Sequence, residues 1–272
     1  MGKLKDVLKM DKPIIGMVHL RPLPGSPKYD PVNMGMDKII SIALEEAAIL
    51  EQAGVDGVQV ENMWDIPYLR SEDIGYETAA ALAVGIHAVR NKVSIPVGAE
   101  CHMNGADCAM ACAVAAGASW IRVFEWCNAF VSQSGFINAM GANVSRMRSR
   151  LKADQILALC DVNVNMEPLS SRRSVAEQAM DIESQDGDAV IVTGFDTGTP
   201  PSVENISKCK KSTSLPILIG SGLNSSNVNE LLTAADGDII SSWFKGRNNW
   251  KNPVSYDRTK EFMDKVIALR QA

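Results

Sequence analysis

Residues 216–244 read PILIGSGLNSSNVNELLTAADGDIISSWF. An apolar run, a loop of glycine and serine, a stretch with helical spacing, an Asp-Gly turn and a second apolar run succeed one another there. Val228, Leu231, Leu232 and Ala235 fall at i, i+3, i+4 and i+7, which gives that helix one apolar face. Ser225 stands where a capping hydroxyl is expected. A strand, a crossover helix and a second strand make one parallel βαβ unit.

The same alternation runs through the whole chain. Strand-length apolar runs occupy residues 13–19, 56–61, 95–100, 120–124, 155–161, 188–193, 216–220 and 238–243, and most are rich in Val and Ile, as strands covered on both faces should be. Between the first two, Ile39, Ile40, Ala43, Ala47 and Leu50 line one face of a helix. Lys38, Glu45, Glu46 and Glu51 point elsewhere, and Gly54 supplies the left-handed residue that ends it. A last helix over residues 258–270 closes the ring through Phe262, Val266 and Leu269. Eight such units in 272 residues match a single (β/α)8 TIM barrel, which runs to about 250 residues. Residues 1–272 therefore read as one domain, with 1–12 as a lead-in segment. An open doubly wound sheet is the rival, but no GxGxxG lies between the first strand and its helix.

Charge and composition remove several function classes. With 27 Lys and Arg against 32 Asp and Glu, the chain has no excess of positive charge with which to neutralise nucleic-acid phosphates. No run approaches the ~18 apolar residues of a membrane span. Residues 1–12 lack the apolar core of a signal peptide, and Asp6 and Asp11 are out of place in a transit peptide. Cys101, Cys108, Cys112, Cys127, Cys160 and Cys209 form no CxxC pair, so reduced thiols in the cytoplasm or another reducing compartment are expected. Barrels of this kind often form homo-oligomers through their outer helices, and no feature here sets a stoichiometry.

Barrel chemistry sits at the C-terminal ends of the strands. After the seventh run come Gly220, Ser221 and Gly222, and after the eighth come Ser241 and Ser242. Glycines let the backbone approach an anion, a following helix start offers free N–H groups, and these two loops form the usual phosphate site of such barrels. The plainer alternative is a pair of tight connecting turns.

Across the mouth, Glu61, Glu100 and Asp161 end three separate strands and converge on the axis. Converging carboxylates need a proton, a cation or a cationic substrate to compensate them, which suits general acid and base work or a divalent metal. HExxH and close Cys and His spacings are missing, so no metal ligand and no cofactor is assigned, with a divalent ion left open. The bland alternative pairs each acid with a neighbour, such as Glu61 with Arg21 or Glu100 with Arg122. His19 ends the first strand as a candidate acid or base, and a hydrogen-bonded structural role is its alternative. Arg21, Asn62, Arg122, Asn163 and Thr193 are candidate substrate-binding residues, Arg122 because a guanidinium inside a strand must find partners or face the mouth. The charged run at residues 146–152 reads as the wet face of a helix.

Several of these blocks together resemble one known family. GMVHLRPLPGSP at 16–27, GVDGVQVEN at 54–62, IRV at 121–123, CDV at 160–162, VTG at 192–194, IGSG at 219–222 and ADG at 235–237 are similar in order and spacing to the BtpA/SgcQ family. The resemblance implies a barrel related to phosphate-binding barrels. It also implies kinship with a factor needed for photosystem I accumulation and with proteins linked to sugar operons, without an established reaction. This chain departs from the family after the fifth strand, where VNME at 164–167 replaces a Val-Lys-His-Ala stretch. It departs again at ECHMN, residues 100–104, and FEWC, residues 124–127. The missing lysine and histidine remove two candidate catalytic groups, which leaves a different ligand, or weak or absent activity, open.

Two functions follow as expectations. The first is an enzyme, whether lyase, isomerase or hydrolase, acting on a small phosphorylated molecule such as a sugar or nucleoside phosphate. In it His19, Glu61, Glu100 and Asp161 are catalytic. The second is a non-catalytic accessory or assembly factor on a barrel scaffold.

Overall fold

A computed structural model describes residues 2–162, 173–194 and 198–271. The barrel strands are β1 (Ile14–His19), β2 (Gly57–Glu61), β3 (Val97–Glu100), β4 (Trp120–Val123), β7 (Leu157–Val162), β8 (Ala189–Val192), β9 (Ile217–Ile219) and β10 (Gly237–Ile240). They form one closed parallel barrel in the order β1-β10-β9-β8-β7-β4-β3-β2. Closure is direct, with Ile14 opposite Asp238 and Gly16 opposite Ile240. On its other side β1 aligns His19 with Glu61, and β2 aligns Glu61 with Glu100, so these three side chains share one level.

The helices that cover the strands are α2 (Met36–Ala53), α3 (Tyr76–Lys92), α4 (Ala106–Ala116), α5 (Gly141–Arg150), α6 (Val175–Ser184), α7 (Val203–Ser212), α8 (Val228–Ala234) and α9 (Tyr256–Gln271). In α2, Ile39, Ala43, Ala47 and Leu50 are buried as their spacing predicts, Ile40 is only half-buried, Glu46 turns inward to pair with Lys245 rather than pointing outward, and Gly54 ends the helix in the left-handed region at φ 96. The lead-in becomes a short helix, α1 (Gly2–Leu8), whose Leu4 and Leu8 close the floor of the barrel against Ile15, Met17, Trp120 and Leu157. No helix among the described residues is long and apolar enough to cross a membrane, and the six cysteines are free thiols.

Three local expectations are corrected. Ser225 does not cap α8. The helix starts only at Val228, because Asn227 Oδ1 accepts the Asn224 N–H and Asn224 Oδ1 accepts the Ser226 N–H, so side chains compete with the first helical turn. The eighth strand stops at Ile240 rather than 243, since Ser241 leaves the extended region and Ser242–Phe244 winds into a 3₁₀ turn. Arg148, inside the charged run on α5, is buried rather than wet, because Asp188 accepts its Nη1 at 2.5 Å. One element has no counterpart in the pattern, the hairpin of β5 (Phe130–Ser132) and β6 (Gly135–Ile137) after β4. Its Phe130 and Ile137 pack on Met103 beside the mouth.

The floor is filled by Trp120, fully buried, with Nε1–H donating to Gln59 Oε1 at 3.0 Å. A Cβ on Gly98 would lie 2.0 Å from Trp120 Nε1, so the indole fits only because β3 carries no side chain there. Gly98→Ala is expected to destabilise the protein by about 1–3 kcal/mol through overpacking. The check is a lower urea midpoint at unchanged slope, with Gly54→Asn as the tolerated comparison.

Candidate active site

Alternate residues of each barrel strand face the axis, and along these inward rows the chemistry changes with height. β1 presents Ile15, Met17 and then His19, and β7 presents Leu157, Leu159 and then Asp161. β2 presents Gln59 and then Glu61, and β4 presents Trp120 and then Arg122. The rows are apolar at the floor and ionisable at the C-terminal end, where they line a cavity of about 250 Å³.

Glu61 is the hub of that layer. Its Oε1 lies 3.0 Å from His19 Nε2, and its Oε2 lies 3.6 Å from His102 Nε2. His102 Nε2 is also 3.6 Å from Glu100 Oε1, while Glu100 Oε2 accepts from Gln59 Nε2 at 2.5 Å. Ser241 Oγ and His19 Nε2 are 3.0 Å apart. Both ring nitrogens of His102, Glu100 Oε1 and His19 Nδ1 are buried with no hydrogen-bond partner among the described residues. Glu61, Glu100 and His102 together offer one ligand atom each within 4.8 Å of one another.

These contacts separate the two glutamates electrostatically. Burial works against charge on Glu61, but the His19 and His102 imidazoles outweigh it and hold that carboxyl well below the usual range. Burial, and then the Glu61 charge, push Glu100 well above it against the pull of Arg122. His19 is lowered by burial and by the Lys245 ammonium. Arg122 donates from Nε and Nη2 to Asp161 at 2.8 and 2.9 Å, and its Nη1 lies 3.8 Å from Glu100 Oε2.

Most residues singled out from sequence meet in this one cavity. His19, Glu61, Glu100, Asp161, Arg122, Thr193, Gly220, Ser221, Gly222, Ser241 and Ser242 all line it. Two do not. Arg21 is held behind the wall, 3.8 Å from Glu46 and over the Trp64 ring, and Glu46 in turn pairs with the fully buried Lys245 at 3.0 Å. Asn62 is a brace: its Nδ2 donates to Asp65 and its Oδ1 accepts the His102 N–H at 2.8 Å. Asn163 and residues 164–167 lie outside the described residues. The pairings expected as alternatives are half right: Arg122 does approach Glu100, whereas Arg21 takes Glu46 and leaves Glu61 to the imidazoles.

The anion loops are tightly built. Gly222 has φ +78, and a Cβ there would fall 2.2 Å from Pro200 N, so both conformation and packing require glycine. Ser221 Oγ accepts the Gly198 N–H at 2.8 Å, and a Cβ on Gly220 would fall 3.2 Å from Arg122 Nη2. The N–H groups of Ser221, Gly222 and Leu223 have no acceptor among the described residues. The wall also contains residues that no sequence motif marks: His102, Tyr68, Phe124 and Trp250. His102 follows Glu100 by two positions, and that proximity is the one local sign of it.

Fold and mouth together define a (β/α)8 barrel protein with an ionisable pocket at the end where barrel enzymes carry their chemistry. The chain belongs to the BtpA family, whose family model matches residues 10–268. It is 35% identical to an uncharacterised protein of Thermococcus kodakarensis, over 96% of this chain and 97% of that one. It is 31% identical to the photosystem I biogenesis protein BtpA of a Synechocystis species, over 93% of this chain and 87% of that one. Its fold is similar to that of thiamine phosphate pyrophosphorylase from Pyrococcus furiosus, with a TM-score of 0.58, 14% identity and 98% of each chain covered.

Within this pocket Arg122 carries the heaviest structural duty, since Asp161 is almost wholly buried beneath it. Arg122→Ala leaves that carboxylate uncompensated, and a loss of about 3–5 kcal/mol in unfolding free energy is expected from denaturant titration.

Proposed function

We propose that this protein binds a small phosphorylated metabolite, a sugar or nucleoside phosphate, and transforms it at the barrel mouth. The phosphoryl group rests on the loop at Gly220, Ser221 and Gly222 and on Ser241 and Ser242. The reacting end points across the cavity to His19, Glu61, Glu100 and Asp161 for proton transfer. The observation that carries this reading is the run of N–H groups at Ser221, Gly222 and Leu223 without acceptors among the described residues, on the wall of the cavity that also holds the ionisable layer. Arg122, whose Nη2 lies beside Gly220, adds positive charge between the loop and the carboxylates. The likeness to a protein named for thiamine phosphate agrees with the reading at the level of fold.

A second reading rests on the 31%-identical relative named as a photosystem I biogenesis protein, and makes the chain a non-catalytic assembly factor. A thermal-shift panel of phosphorylated metabolites separates the two. A true ligand at a hundredfold excess over its dissociation constant contributes about 2.7 kcal/mol, a rise of about 5–10 °C in Tm for a chain of this size. Ser221→Asp places a carboxylate in the loop and is expected to abolish that rise. A panel in which no phosphorylated compound moves Tm sinks the first reading.

A further inference from the structure

We propose that Glu61, Glu100 and His102 form a divalent metal site in which Glu61 Oε2, Glu100 Oε1 and His102 Nε2 are the ligands and a further position faces the cavity. This goes beyond the phosphate reading and does not depend on it.

Each ligand has one atom turned to a shared point and the rest of its side chain fixed elsewhere. Glu61 keeps Oε1 against His19 Nε2 at 3.0 Å and leaves Oε2 free for the shared point. Glu100 keeps Oε2 on Gln59 Nε2, whose amide oxygen is anchored by Trp120, and leaves Oε1 without a hydrogen-bond partner among the described residues. His102 is held by its backbone N–H on Asn62 and by its ring, stacked on Tyr68 at 4.8 Å between centroids with Phe124 at 5.1 Å. Outer partners of this kind orient metal ligands in known sites.

The spacing fits an ion. His102 Nε2 stands 3.6 Å from each carboxylate oxygen and all three ligand atoms lie within 4.8 Å of one another, while ligands at roughly 2.1 Å from a common ion lie about 3.0–3.4 Å apart, so small side-chain rotations close the set on an ion. Without an ion, His102 Nε2 has only its two 3.6 Å carboxylate contacts, and neither ring nitrogen nor Glu100 Oε1 has a hydrogen-bond partner among the described residues, a buried arrangement that is costly unless something fills it. Arg122 does not block the point, because it approaches Glu100 through Oε2 and is tied to Asp161.

Two carboxylates and one imidazole lie between the hard oxygen sets of Mg²⁺ and Ca²⁺ and the nitrogen and sulfur sets of softer ions, which favours Mn²⁺ or Zn²⁺. Three protein ligands with an open position are the pattern of catalytic rather than structural sites. The ion would offset the acidic layer and take an oxygen of the molecule held in the cavity.

The test is Mn²⁺ titration of the full-length, chelator-treated protein, followed by electron paramagnetic resonance. One tightly bound Mn²⁺ per chain, with coupling to one imidazole nitrogen in pulsed spectra, is expected. Binding should be lost in His102→Ala and Glu61→Gln and kept in His87→Ala, which removes an exposed imidazole. The pulsed measurement on the unaltered chain decides the matter even if a variant misfolds. Failure to bind Mn²⁺ or Zn²⁺, bound Mn²⁺ without nitrogen coupling, or undiminished binding in a folded His102→Ala protein each overturns the proposal. The phosphorylated-metabolite panel run on chelator-treated protein is scored separately, so either reading can fail alone.

Discussion

The fork of two hydrogen bonds from Arg122 to Asp161 is the constraint on which the mouth depends. Five ionisable side chains, from β1, β2, β3, β4 and β7, enter one layer of the barrel, nearly all of them buried. Such a layer persists only if its charges are compensated within it. Arg122 neutralises Asp161 and leans on Glu100, Glu61 draws on two imidazoles, and burial and the Glu61 charge raise the Glu100 carboxyl above its ordinary range. The arrangement moves two chemically identical carboxyls in opposite directions through their neighbours alone.

The layer sits on a floor that resists deformation. Trp120, Gln59 and the vacant position at Gly98 interlock below it, and Gln59 carries that rigidity upward by holding Glu100. Above it, the glycine loop after β9 is pinned to the Thr199-Pro200 segment and to Gly198. Packing below and loop geometry above therefore define a pocket with a polar wall and a backbone wall facing each other, the form of site that small polar ligands use.

Much of this was legible in the chain. Strand-length apolar runs and helical stripes give all eight barrel strands to within a few residues, because strands buried on both faces are locally apolar. Strand-end position also brings His19, Glu61, Glu100, Asp161 and the serine-bearing loops to one cavity. What escaped depends on contacts remote in sequence. Arg148 looks like part of a wet face until Asp188, forty positions on, is seen beneath it. Arg21 sits at a strand end like the others, yet Glu46 on α2 turns it behind the wall. His102 has only Glu100, two positions before it, as a local sign, because its other carboxylate neighbour, Glu61, comes from β2. Ser225 is the local exception, since the Asn224 carbonyl already accepts the Asn227 and Val228 N–H groups that a cap there would take.

The pairing of β1 with β10 joins Ile14 to Asp238, nearly the full span of the polypeptide. Contacts of such sequence separation form late and slowly, because the loop entropy must be overcome before they stabilise anything. The His19–Ser241 contact lies directly above that seam. The part of the pocket wall built from His19 and Ser241 therefore comes together only when β1 and β10 pair.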